Sequence, residues 1–205
     1  MGTTAAGFQC ALQIAPRRGE GQDRALVMPC DDGVVIALAD GAGGISGGAY
    51  AAKHVIDAVG KLASHATDWS MLLAELDHEQ IGYGQTTAVV LWVSRNKIVG
   101  ASAGDSAAWV IRPRGIEDVT RGQHTKPLIG DGAIVTAVES GPLAGGTLLV
   151  ASDGLLRYAK RDDVVRVALG ADLEVAAREL VELVRLPSGD LPDDVSVILC
   201  REAPA

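Results

Sequence analysis

The sequence predicts an α+β fold in which helices cover a sandwich of antiparallel β-sheets. Three observations carry that prediction. Val- and Ile-rich runs of strand length recur along the chain, bounded by Gly, Asp, Asn and Pro. Two of the returns between them, at Asp32-Gly33 and Arg95-Asn96, are tight, as antiparallel hairpins require and parallel crossovers forbid. Helical periodicity is confined to two places, each long enough for a pair of helices.

Taken in order, strands are expected near 7–14, 24–29 and 33–39, then 86–94, 97–103, 107–112, 133–138 and 147–151, and finally 194–200. The first helix pair falls at 47–63, with Ala51, Val55, Ala58, Val59 and Leu62 on one face, and at 69–80, with Asp68 as its N-cap. The second falls at 161–169 and 172–186; Leu173, Ala176, Ala177, Leu180 and Val184 form the stripe of the latter, and Pro187 and Gly189 end it. Strands, two helices, strands, two helices and a strand suit helices layered on a sandwich. No repeat, low-complexity tract or linker interrupts the 205 residues, so residues 1–205 are expected to form a single domain.

Composition narrows the function. Apolar residues make up 48% of the chain and aromatics only 3%, which gives an aliphatic core and argues against disorder. A net charge of −8 excludes a general binder of nucleic-acid backbones, although metal ions can bring phosphate to an acidic protein. Cys10, Cys30 and Cys200 are odd in number and widely spaced, which reads as thiols in a reducing compartment. The N-terminus lacks a signal-peptide pattern, and Ala6 stands where a myristoylation signal would have Ser or Thr. With no apolar stretch of spanning length, a soluble cytoplasmic protein without membrane or nucleic-acid partners is expected.

The chemistry-bearing residues are aspartates at strand ends. Asp40 closes VVIALA and Asp153 follows TLLVAS, each before a glycine; Asp105 follows KIVGASAG; Asp23 and the pair Asp193-Asp194 precede strands. Each alone is an ordinary turn residue. In an antiparallel sheet, however, the ends of some strands neighbour the starts of others, so all of these can gather at one edge. Carboxylates gathered there repel unless they protonate or a cation joins them. Oxygen ligands without a Cys/His cluster select hard cations such as Mg2+ or Mn2+. His54, His65, His78 and His124 show no ligand spacing. Gly100-Ala-Ser102-Ala-Gly104 matches the G-x-S-x-G nucleophile elbow, but the chain continues as a strand where the elbow needs a helix. The glycines at 41–48 lack the Gly-Lys-Ser/Thr of a nucleotide loop.

Six blocks then occur in an order that resembles the type 2C family of metal-dependent Ser/Thr protein phosphatases: Arg18-x-x-x-Gln22-Asp23, Asp40-Gly41-x-Gly43-Gly44, Gly84-Gln85-Thr86-Thr87-Ala88, Gly104-Asp105-Ser106, Ser152-Asp153-Gly154-Leu155 and Asp193-Asp194-Val195-Ser196-Val197. The resemblance implies a four-layer α-β-β-α sandwich and hydrolysis of phosphoserine or phosphothreonine on proteins by a water between two ions, Mn2+ or Mg2+. It implies that Asp40 bridges the ions with the Gly41 carbonyl on one, that Asp153 and Asp193 hold the other, that Asp105 with Asp153 forms a third, weaker position, and that Asp23 belongs to the metal set. Arg18 matches the phosphate-gripping arginine, with Arg17 a rival beside it. The glycines after Asp40 would let the carbonyl reach a metal and leave room for phosphate. The phosphoprotein substrate, or a Ser/Thr kinase acting on it, would be the partner of a monomeric enzyme.

The chain also departs from the family. Gln22 replaces an acidic residue, Ala42 stands where some members carry His, Ile45 replaces a His, and Asp194 replaces Asn. The flap beside the active site is expected to be shortened or missing near 120–140. These departures leave a second reading, a catalytically weak or inactive regulatory module on the same fold.

Overall fold

The structure, a computed structural model, describes residues 2–30, 32–42 and 47–203. Gly43, Gly44 and Ile45, singled out above, lie outside the described residues. Eleven described strands form two antiparallel sheets. The first sheet has the order β1 (Gly2–Ala5), β2 (Phe8–Ala15), β11 (Val195–Glu202), β10 (Thr147–Ala151), β7 (Ala107–Arg112), β8 (Gly115–Asp118). The second has the order β3 (Arg24–Cys30), β4 (Gly33–Ala39), β5 (Ala88–Ser94), β6 (Ile98–Ala103), β9 (Thr136–Ser140). Helices α1 (Gly48–Leu62) and α2 (Trp69–Gln80) cover the second sheet; α3 (Asp153–Leu156), α4 (Arg161–Ala168) and α5 (Leu173–Glu182) lie on the first.

Strand alternation builds the layers. In β4, Val34, Ile36 and Leu38 enter the core between the sheets, while Val35, Ala37 and Ala39 pack under α1 and α2. In β11, Ile198 and Cys200 face the other sheet, while Val195, Val197 and Leu199 face α4 and α5. Strands covered on both faces must be apolar at every position, which is why VVIALA reads as a continuous run rather than an alternating one. Cys10 and Cys200 sit opposite each other in register, buried and as thiols.

Both expected hairpins form: Cys30 pairs with Gly33, and Val93 with Ile98. Asp68 caps α2 by accepting from the Met71 N–H at 3.0 Å, and Asp172 caps α5 by accepting from Val175 at 2.9 Å. Three short elements escaped the sequence reading: β1, β8 and the single turn α3, all of four residues and too short to show a period. Helix α5 ends at Glu182 rather than 186, because Val184 and Arg185 donate three residues back, to Val181 and Glu182, and tighten the chain out of the α-helix. Leu62, expected on the buried stripe of α1, is exposed at the last residue of the helix. Strand β9 begins at Thr136 rather than 133, because the preceding backbone is held elsewhere: Asp77 of α2 accepts from the N–H groups of Gly130, Gly132 and Ala133 at 2.7, 3.1 and 3.0 Å.

The core between the sheets carries the stability. Leu91 of β5 is fully buried there. Leu91→Ala is expected to cost about 2–5 kcal/mol in urea unfolding, and a loss below 1 kcal/mol would show that the sandwich is not packed as described.

Candidate metal and phosphate site

Strand register gathers the aspartates. Arg24 pairs with Ala39, which sets Asp23 at the start of β3 beside Asp40 at the end of β4. Ala88 pairs with Ala103, which brings the turn holding Asp105 to the same edge. In the other sheet Ala151 pairs with both Ala107 and Val197, so Asp153 just after β10 and Asp193 just before β11 arrive there too. An open cleft of about 850 Å³ lies at this edge, lined among others by Arg17, Arg18, Gln22, Asp40, Gly41, Asp105, Asp153, Arg157, Asp193 and Asp194. Asp23 is not on its wall; it is 1% exposed and sits behind Asp40.

Each position is fixed by backbone contacts. The Asp40 N–H donates to Thr87 Oγ1 at 3.0 Å, its carbonyl accepts from the Thr87 N–H and Thr86 Oγ1 at 2.9 Å each, and the Ala42 N–H donates to the Gln85 carbonyl. The Gly84–Ala88 block is thus the clamp that holds the Asp40-Gly41 peptide. Thr87 Oγ1 also meets Ser106 Oγ at 2.7 Å, which ties in the Asp105 turn. A Cβ at Gly41 would stand 2.5 Å from the Gly48 carbonyl, so the first turn of α1 packs directly on this peptide. A Cβ at Gly154 would stand 1.9 Å from the Asp194 carbonyl, so α3 abuts the start of β11. At these two positions glycine serves contact between backbones.

Asp194, read in the sequence as one of the gathering carboxylates and as a departure from the family, anchors the loop that carries both arginines. Its Oδ1 accepts from the Arg17 N–H at 2.7 Å and its Oδ2 from the Gln22 N–H at 2.5 Å. Arg157 was missed altogether; its Nη1 donates to Asp153 Oδ2 at 2.7 Å. The only available signal was its spacing four residues after Asp153. Ser102 lies buried within β6, which continues into β7, so it has none of the exposure of a nucleophile elbow.

The electrostatics are those of crowded anions. Burial, then the charges of Asp23 and Asp153, push Asp40 up to about 10. Burial pushes Asp23 up to about 6, partly offset by the Ser196 and Ser152 hydroxyls, although neither carboxylate oxygen makes a hydrogen bond of good geometry. Asp153 is raised by burial and by Asp105, against the opposing charge of Arg157. A donor set of oxygens alone, with Asp23 and Asp40 buried among other carboxylates, fits Mg2+ or Mn2+. Among the described residues no group of three or more His, Cys, Asp or Glu side chains already closes around one ion. Mg2+ does not need that, since it commonly takes one or two carboxylates and keeps several waters.

The family model described as Stage II sporulation protein E, SpoIIE, matches residues 30–202. The chain belongs to the SpoIIE family. This is a type 2C-like phosphatase family, as the order of motifs indicated. The match begins after Arg18, Gln22 and Asp23, so the placement of those residues comes from the structure alone. No curated protein matches the chain. Among solved structures, a bacterial serine phosphatase is similar at 21% identity and TM-score 0.75, covering 96% of this chain and 98% of that one. The Mycobacterium tuberculosis serine/threonine phosphatase PstP/Ppp is similar at 19% identity and TM-score 0.78, with coverage of 96% and 99%. The catalytic domain of PstP in complex with two manganese ions is similar at 19% identity and TM-score 0.76, also with coverage of 96% and 99%. These likenesses establish the fold.

The raised carboxylates give a sign to the pH dependence. The unfolded chain releases these protons near the ordinary value of 3.8, whereas the folded chain holds them to about 6 at Asp23 and about 10 at Asp40. Without metal, their contribution to stability is therefore complete below 3.8 and declines as pH rises through those values. Chelated protein is expected to melt lower at pH 8 than at pH 5. At a fixed concentration about 100 times its Kd at pH 5, Mn2+ adds about 2.7 kcal/mol there, a rise of roughly 5–10 °C for a chain of this size, and the same concentration gives a larger rise at pH 8, where fewer protons compete for the carboxylates. A Mn2+ response equal at both pH values would contradict binding at these carboxylates.

Proposed function

We propose that the protein hydrolyses phosphoserine or phosphothreonine on proteins, using two Mn2+ or Mg2+ ions held at the sheet edge. The observation that carries this reading is the convergence of Asp40, Asp105, Asp153 and Asp193 on one open cleft with Arg17 and Arg18 at its rim. When bound, two ions would lower the pKa of a shared water, aim it in line at phosphorus and offset the charge of the phosphoryl group. Asp40, presented by the threonine clamp, and the Gly41 carbonyl would hold the ions together with Asp153 and Asp193. Asp23 lies behind Asp40 and raises the demand of that carboxylate for a cation. Arg18 grips the phosphate with a fork of N–H donors, from a loop whose neighbouring N–H groups are pinned by Asp194. Gln22, with Oε1 buried and unpartnered, is placed to orient a water. Ala42 offers no proton to the leaving group, so the open cleft supplies it from solvent.

The segment 121–135 contains no helix or strand. It is tied down by Asp77, by the Thr86–Ile129 bridge and by the bond from the Gly104 N–H to the His124 carbonyl. This supports a shortened flap beside a site open to a protein substrate; a Ser/Thr kinase or its target is the partner we infer, and a cytoplasmic monomer the working form. Among the described residues no helix is long and apolar enough to cross a membrane. Gln22 and Ala42 favour the second reading, a regulatory module with weakened metal sites.

A phosphothreonine peptide assayed with Mn2+, with Mg2+ and with chelator separates the two. Metal-dependent turnover is expected, falling to the chelated background in Asp40→Asn and Asp153→Asn. Arg18→Ala is expected to lose about 1.5–3 kcal/mol of charged hydrogen bonding, roughly 10- to 100-fold in kcat/KM. Ser102→Ala retains activity. Folded wild type without turnover in either metal would favour the regulatory module.

A further inference from the structure

Arg157 follows the single turn α3 and stands four residues after Asp153. Its guanidinium lines the same cleft as Asp40, Asp105 and Asp193. The Asp153 side chain is only 15% exposed, whereas that of Arg157 is 63% exposed. The arginine therefore reaches from the rim to a largely enclosed carboxylate. Asp153 first, and Asp105 second, are the charges that hold it. An exposed helical ion pair is worth little; here the acceptor belongs to a crowd of anions that needs positive charge.

We propose that Arg157 is a built-in cation on the Asp105–Asp153 side of the cleft, and that it takes the place of a third divalent ion, so the chain binds two. The inference rests on the dinuclear reading above. A guanidinium suits the role because its charge is permanent and its planar fork matches a carboxylate. It is also tethered about one helical turn away, so no ion from solution need be recruited. A divalent ion entering here would have to displace Nη1 from Asp153 Oδ2. That bond engages one carboxylate oxygen and leaves Oδ1 for the ions beside Asp40. Arg157 is thus a positioning residue: it sets metal stoichiometry and orients Asp153 without touching the phosphorus.

Equilibrium dialysis of the chelator-stripped full chain against Mn2+ counts the ions directly, without an activity readout. Wild type is expected to bind two ions per chain, Arg157→Gln three, and Arg157→Lys, which keeps the charge, two. Melting curves confirm that each variant is folded. Three ions in wild type, or two in Arg157→Gln, would overturn the inference while leaving the dinuclear site intact. No bound Mn2+ in wild type would overturn both.

Discussion

Mutual repulsion among carboxylates at one edge of the sandwich is the constraint on which the rest depends. Five acidic side chains from both sheets arrive there because the strand register leaves them no other place. Folding must therefore supply enough apolar burial to hold an arrangement that opposes itself. The fully buried runs of β4, β5, β10 and β11 provide it, packed on one face against the opposite sheet and on the other against helices. The crowding of carboxylates opposes stability at this edge, and a cation would relieve it.

The scaffold around the carboxylates is built from short backbone contacts. Thr86 and Thr87 clamp the Asp40-Gly41 peptide, α1 starts on top of Gly41, and α3 starts against Asp194. Two further aspartates act as pins: Asp194 gathers the N–H groups of the loop bearing Arg17 and Arg18, and Asp77 gathers three from the segment before β9. A carboxylate that accepts several backbone N–H groups makes charge-assisted bonds that fix a loop's path, and before β9 the buried Ile129 adds packing to them.

Positive side chains line this acidic cleft at Arg17, Arg18, Arg24, Lys126 and Arg157. Ions from solution would be exchangeable, whereas Arg157 is tethered beside Asp153. Among the described residues only Arg157 pairs with a carboxylate of the set, and burial and neighbouring charge, which also act on Asp23 and Asp153, push Asp40 up the furthest, to about 10.

Much was legible in the sequence because local chemistry announces itself. Apolar runs at strand length, Asp68 as a cap, two tight hairpins and the order of Asp-bearing blocks all express short-range rules, and strand-end positions were enough to foresee the gathering of Asp40, Asp105, Asp153 and Asp193. Other features depended on residues distant in sequence. That Asp23 lies behind the cleft wall, that Asp194 grips a loop 172 and 177 positions away, and that Asp77 fixes the backbone before β9 follow from how sheets and helices stack. The glycines near Asp40 illustrate the boundary. Their number marked a special turn, but at Gly41 the cause is the approach of the α1 backbone, a contact between elements. The sequence by itself determined the α+β layering and marked the strand-end carboxylates as candidates, because residue type and period are local properties. Only the tertiary structure decided which carboxylates face solvent, which serve as pins and which cation stands among them, because burial and charge proximity exist only once the sheets are packed.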